Sequence, residues 1–272
     1  MVGKTFGIYS DELSDCVLFI ETGTNYIACW CKNNETKQVK AFELFSFTEP
    51  DANDFENLLK DMQLHSRLLA AKFEKAYCIW GHEKCVCIPQ EFYSDEIAAS
   101  YMELMFGILD ETNFCKDTTN DCIILALIPT KILSEYSNRY TVSANVHKYY
   151  QLLKGQYTNA GENKLYLVFY HSHLIISVFK DGSLQLIQNF SYKVPEDALY
   201  YVLNIFNTYN LPANGTTVYA SGMIDSASPL CGTLRVYINH FSFESADKNL
   251  FAAEGFHDYP LHYFASFCQR DV

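Results

Sequence analysis

"CVLFIETGTNYIACWCKNNETKQVKAFELFSF", residues 16–47, holds three strand-like runs, 16–22, 25–32 and 38–47, separated by the polar turns ETGT and NNET. The second and third runs alternate apolar with polar residues, the period of a half-buried strand. Two successive hairpins make a meander. In the segment 49–75 that follows, Phe55, Leu58, Leu59, Met62, Leu68 and Leu69 recur at helical spacing after a Pro and Asp start, which predicts a helix or a helix pair.

Beyond it, "AYCIW" and "KCVCIP" read as short strands joined by "GHE", and "YSDEIAASYMELMFGIL" as a helix with Ser94 at its N-cap. "DETNFCKDTTND" reads as a polar loop, and "CIILALIP" is apolar enough to be buried on both faces. "TKILSEYSNRY" then predicts a helix, "TVSANV" a short strand and "HKYYQLLKGQY" a helix. The polar stretch "GQYTNAGEN", 155–163, marks a boundary, giving domains 1–157 and 158–272. After it the opening pattern restarts. "KLYLVFYHSH", "LIISVFKDG" and "SLQLIQNFSY" form a second three-strand meander, "VPEDALYYVLNIFNTYNL" a helix with Pro195 in its first turn, and "TTVYASG" a strand. "TLRVYINHFSF" is expected as the last strand and "YPLHYFASFC" as the closing helix.

A chain of 272 residues, 49% hydrophobic, buries a sizeable core without disulfides or metals. No apolar run approaches the length of a membrane span. The stretch "MVGKTFGIYSDELSDC" lacks the apolar centre of a secretory signal, so a cytoplasmic location is expected. A net charge of −12 disfavours nucleic acid and direct contact with anionic membrane. That leaves another protein, or a second copy, as the expected partner. The ten cysteines sit mostly in apolar runs and read as small buried hydrophobes in a reducing compartment.

The doubled unit of meander, helix, strand, helix and strand resembles the ribonuclease-H-like half of the actin, hexokinase and Hsp70 superfamily. Within the first unit, "FIETGTNYIACW" resembles that superfamily's first phosphate loop, with Glu21, Gly23 and Thr24 on the matching positions. The order of the first half also looks like the pilus-assembly and cell-division actin homologues. Over nearly the whole chain the pattern most resembles a domain-of-unknown-function family of Bacteroidetes assigned an actin-like ATPase fold. The resemblance implies an α/β protein with a duplicated ribonuclease-H-like fold, each half a mixed sheet with a three-strand antiparallel meander and helices, and a cleft between the halves. It further implies ATP and Mg²⁺ as cofactors, contacted by Glu21, Gly23 and Thr24 from the first loop and by Ser221 and Gly222 from "VYASGMID".

Departures from the pattern weigh against that chemistry. Glu21 replaces an aspartate, and the second loop, "FYHSHLII", has Tyr170, His171, Ser172 and His173 where a glycine is needed for backbone to approach a phosphate. The third loop keeps Gly222 but has Ser221 in place of a second glycine. No catalytic residue is assigned. Glu43, Glu49 and Asp51 lie where the superfamily holds its water-positioning group, and the last two also suit a helix start. Two readings follow: a non-hydrolysing pseudo-ATPase acting as an interaction or scaffold component, or a working ATPase or sugar-kinase-like phosphotransferase using Mg-ATP. A third, a two-domain α/β binding module unrelated to actin, also stays open.

Other clusters are weaker. Cys78, His82, Cys85 and Cys87 fall within ten residues without the spacing of a zinc knuckle, and β alternation puts the last two on one face of a strand. His171 and His173 have ligand spacing but need a third donor. There is no P-loop, no G-x-S-x-G, no H-E-x-x-H and no C-x-x-C, so nucleophilic catalysis has no candidate.

Overall fold

The computed structural model describes residues 3–47, 55–156 and 159–269. The chain divides into two units, Met1–Leu153 with Lys248–Asp258, and Lys154–Asp247 with Tyr259–Arg270. Each has its own sheet and its own core.

In the first unit the meander forms as β2 (Cys16–Gly23), β3 (Tyr26–Asn33) and β4 (Val39–Ser46), all antiparallel neighbours. Two helices, α1 (Phe55–His65) and α2 (Arg67–Ala70), lead into β5 (Lys75–Gly81), which lies parallel to β2. Further on, α4 (Thr130–Arg139), β9 (Thr141–His147) and α5 (Lys148–Gly155) follow, with β9 parallel to β5. The sheet order is β1-β4-β3-β2-β5-β9. The edge strand β1 of that order is Gly3–Tyr9, a stretch to which the sequence pattern assigns no element, and it adds antiparallel to β4.

The second unit repeats the order. β10 (Asn163–Phe169), β11 (His173–Lys180) and β12 (Ser183–Ser191) are its meander, α6 (Pro195–Thr208) its first helix and β13 (Thr216–Gly222) its parallel strand. Helix α7 (Pro229–Tyr237) and β14 (His240–Phe243) follow, giving the order β12-β11-β10-β13-β14. Strand for strand this equals β4-β3-β2-β5-β9, with two antiparallel and two parallel pairings in each. The expected duplication is present.

An insertion distinguishes the first unit. Between β5 and α4 the chain makes a separate sheet, order β6-β8-β7, from β6 (Cys85–Pro89), β7 (Thr112–Thr118) and β8 (Cys122–Pro129), with α3 (Asp95–Phe106) packed on it. Ser94 caps α3 as expected, its Oγ accepting from the Glu96 N–H at 3.3 Å. Ala98 and Met102 of α3 pack on Leu125 and Leu127 of β8, whose burial on both faces follows from its central place.

Two local expectations are corrected. Residues 110–121 are not a loop throughout, because Thr112–Thr118 pairs along β8; only Cys115 and Asp117 of that strand face inward, which makes the stretch read as polar. Residues 233–243 are not one strand. Ser228 caps a helix beginning at Pro229, whose Leu230, Cys231 and Leu234 are buried, and only His240–Phe243 is extended. The two runs joined by "GHE" are strands as expected, β5 in the large sheet and β6 in the small one.

The first core joins the inner face of the sheet to α1, α2 and α4 through Leu18, Ile20, Phe45, Leu59, Met62, Leu68 and Tyr136. On the other face Phe19, Trp30 and Phe42 stack in a row, with Phe19 to Trp30 at 5.4 Å and Trp30 to Phe42 at 6.4 Å. These aromatics supply large apolar area, each burying on the order of 150–250 Å². The second core places Leu167, Ile176 and Val218 against Val202 of α6 and Leu234 of α7.

Candidate functional site

Glu21 is the sixth residue of β2, and strand alternation turns it off the face that Leu18 and Ile20 share. It is fully buried. A buried carboxylate needs a countercharge and donors, and both are present: Lys148 Nζ lies 2.6 Å from Glu21 Oε2, and the Tyr26 hydroxyl donates to Glu21 Oε1 at 2.7 Å. Lys148 is equally buried, at the first turn of α5, and donates also to Gln151 Oε1 at 2.9 Å. The acid of the expected phosphate loop thus faces an ammonium built into the chain.

Gly23 ends β2 opposite Gly81 of β5. A Cβ on Gly23 would lie 2.0 Å from Cε1 of Tyr26, and one on Gly81 would lie 2.5 Å from the Tyr26 hydroxyl oxygen. Both glycines make room for the Tyr26 ring, and the near face of Gly23 is taken by it. Thr24 follows, half-buried, on the rim of a cavity of about 330 Å³ whose lining includes Gly23, His82, Lys84, Phe55 and Ile132. These residues do not fit a magnesium nucleotide in the way the resemblance implies: the carboxylate is already paired with a cation and the glycine is covered by an aromatic ring.

In the second unit, Ser221 is buried and Gly222 closes β13 with φ +82°. A Cβ there would meet the Phe169 carbonyl oxygen at 2.2 Å. The turn lets the Met223 N–H donate to that carbonyl at 2.7 Å. The glycine serves a close approach of two backbones. Glu21, Gly23 and Thr24 share one loop of the first unit, whereas Ser221 and Gly222 belong to the second.

The other candidates find separate places. Glu43 is fully buried and accepts from Lys4 Nζ at 3.2 Å, from the Arg67 N–H at 2.8 Å, and from the hydroxyls of Tyr9 and Ser66. It fixes α2 to β4. Glu49 and Asp51 lie outside the described residues. In the "FYHSHLII" hairpin His173 is buried and stacks on Tyr170 at 4.3 Å, while His171 is exposed, so the two imidazoles do not share a face.

"CIWGHEKCVC" does place one thiol on an imidazole. Cys85 Sγ is 3.3 Å from His147 Nδ1, which also accepts from the Tyr149 N–H at 3.2 Å, while Nε2 lies 3.0 Å from the His82 carbonyl. With Nδ1 accepting, Nε2 carries the proton and the thiol donates. Burial pushes the Cys85 thiol well up and holds His147 down at about 4, so both are neutral. Asp117 accepts from the His147 backbone N–H at 2.7 Å and not from the ring. A neutral thiol and an imidazole without an orienting acid are a joint between β6, β7 and β9, not a nucleophile. Among the described residues no group of three or more His, Cys, Asp or Glu is placed to hold a metal ion.

These imidazoles make stability depend on pH. Burial lowers His82, His147 and His173 each to about 4, so between about 6.5 and 4 the unfolded chain takes up protons that the folded chain refuses. Stability therefore falls on acidification. Asp117, raised by burial to about 6, works the other way across part of the same range, as one group against three. Urea unfolding at pH 5 is expected to give a stability lower than at pH 7 by on the order of 3 kcal/mol. An unchanged or higher midpoint at pH 5 would contradict it.

Sequence reasoning found the loop but not its lock. Tyr26 was legible as a strand residue, and Lys148 as part of a helix. Their joint role needs a contact between residues 21 and 148, for which no spacing rule exists.

The fold matches solved structures. The chain is 16% identical to a Bacteroides thetaiotaomicron VPI-5482 protein with actin-like ATPase fold and unknown function, with TM-score 0.70 over 85% of this chain and 91% of that one. It is 8% identical to a chain of the PilM-PilN type IV pilus biogenesis complex, with TM-score 0.63 over 93% of this chain and 97% of that one. The fold is therefore actin-like. No curated protein matches the sequence. Residues 8–241 match the family described as Protein of unknown function (DUF3822), and the chain belongs to that family.

Proposed function

We propose that this member of the DUF3822 family is a non-hydrolysing interaction or scaffold component, a pseudo-ATPase that keeps the actin-like fold without its nucleotide chemistry. The observation that carries the reading is the Glu21–Lys148 pair beneath Tyr26. In the resemblance, the loop acid serves a hydrated divalent cation. Here a divalent cation would have to displace a buried lysine that also holds Gln151, and a phosphate would have to displace the Tyr26 ring from Gly23. Breaking such a buried pair costs several kcal/mol, which comes off any binding energy the nucleotide brings. The likeness to PilM, held with PilN in a pilus biogenesis complex, supports an interaction role. A cytoplasmic setting accompanies this reading.

Isothermal calorimetry with ATP and Mg²⁺ tests it. The expected result is no binding tighter than about 1 mM; a magnesium-dependent dissociation constant in the micromolar range would sink it. A second reading, a working ATPase or phosphotransferase, is favoured by the cavity beside Gly23 and Thr24, where Lys84 contributes a cation. It requires Glu21→Ala and Gly222→Val to weaken nucleotide affinity or turnover in protein that remains folded.

A further inference from the structure

More than half of the large apolar side chains that stand exposed among the described residues fall between Phe92 and Phe114. They are ordered. Ile97, Tyr101, Leu104 and Met105 recur along one side of α3, and Ile108 continues the line just past the Gly107 cap, with Leu104 82% and Ile108 81% exposed. The adjoining face of the same helix already packs on β8 through Ala98 and Met102. The stripe therefore widens the apolar surface of α3 well beyond what β8 covers, and a contiguous outward apolar stripe marks an interaction surface.

The charges around the stripe say what covers it. From Cys85 to Cys115 the chain has Glu91, Asp95, Glu96, Glu103, Asp110 and Glu111, and no lysine, arginine or histidine. Lys116 pairs with Asp95 at 2.7 Å and Lys131 with Glu111 at 3.5 Å, while Glu91, Glu96, Glu103 and Asp110 are exposed with no ion pair among the described residues. A second copy would set this acidic rim against itself, and an anionic lipid surface would be repelled in the same way. The complementary object has an apolar ridge with positive borders.

We propose that the outward face of α3, from Ile97 to Ile108, docks an amphipathic helix of another protein whose apolar stripe is bordered by lysine and arginine. This deepens the interaction part of the functional reading and is independent of its nucleotide part. Large side chains at helical spacing supply the central contact area, and the acids set orientation and speed association.

The probe is a displayed library of helical peptides with leucine fixed along one face and Lys, Glu or Gln varied at random beside it, selected on the full chain. Sequences rich in lysine are expected to enrich. The best of them, labelled and followed by fluorescence anisotropy, should lose at least about tenfold in affinity with Leu104→Glu and with Ile108→Glu, and should bind more weakly as salt rises. Both sites are exposed, so the variants keep the wild-type unfolding midpoint. The proposal is overturned by selection that yields no binder or no charge preference, or by an affinity that Leu104→Glu leaves unchanged. It is equally overturned by phosphatidylserine-vesicle binding, or by a dimer in sedimentation equilibrium, that Leu104→Glu abolishes. Calorimetry with ATP reads none of these outcomes, so the surface and the nucleotide reading can fail separately.

Discussion

Lys148→Met is expected to cost about 3 to 5 kcal/mol of stability in urea unfolding. The cause is not the lost attraction. Removing the ammonium takes the countercharge from a carboxyl with no exposure to water, and deleting one partner of a buried ion pair is among the most costly changes a core can suffer. Tyr26 still donates to it, but a neutral hydroxyl does not replace a countercharge. The double variant Glu21→Leu with Lys148→Met separates desolvation from packing. With both charges gone, stability should return to within about 2 kcal/mol of the wild type, the remainder reflecting the partners lost by Tyr26 and Gln151. A single variant that loses under about 1 kcal/mol would mean that the pair is solvated, and the proposal that an internal lysine replaces the metal of an actin-like site would lose its basis.

The duplication was readable because alternation, turn residues and amphipathic spacing recur in both units, and strand edges such as Thr216–Gly222 coincide with the run of residues that predicts them. Where reading failed, the deciding partner lay elsewhere. Strand β1 is an edge strand defined by its pairing with β4, and β7 carries mostly outward polar side chains, so neither has an apolar period of its own. Helix α7 shows the opposite failure. "TLRVY" alternates like a strand, but the Ser228 cap, Pro229 at the first turn and the burial of Leu230, Cys231 and Leu234 are helical signals that a window starting at Thr233 cuts off. The candidate site divides the same way. Acid, glycine and threonine in a hairpin are a local pattern, whereas the lysine that neutralises the acid comes from α5, 127 positions along the chain. The outward stripe of α3 consists of residues adjacent in sequence, and becomes informative only because β8 packs on the adjoining residues Ala98 and Met102 and leaves the stripe uncovered.

Gly222→Ala is the second large effect, and a paired control makes its cause measurable. Gly107 and Gly222 share a positive φ, +81° and +82°, so alanine is strained at each by about 1 to 3 kcal/mol. Their surroundings differ. A Cβ at Gly107 would have nothing within 4 Å, and one at Gly222 would lie 2.2 Å from the Phe169 carbonyl oxygen and 3.0 Å from the Phe169 nitrogen, which are backbone atoms in a paired strand and cannot swing aside. Relieving that overlap must open the end of the β10–β13 ladder and the Met223 N–H to Phe169 carbonyl bond. We therefore expect Gly107→Ala to cost about 1 to 3 kcal/mol and Gly222→Ala to exceed it by about 1 to 3 kcal/mol, with faster hydrogen exchange at Met223 only in the latter. Equal costs would show that the strand end has slack. That result would also change the reading of the glycine, because a position with room for a side chain has no packing reason to be glycine, and a ligand would be needed to explain it. A large cost restricted to Gly222, with ATP affinity absent in both variants and in the wild type, assigns the residue to the strand joint.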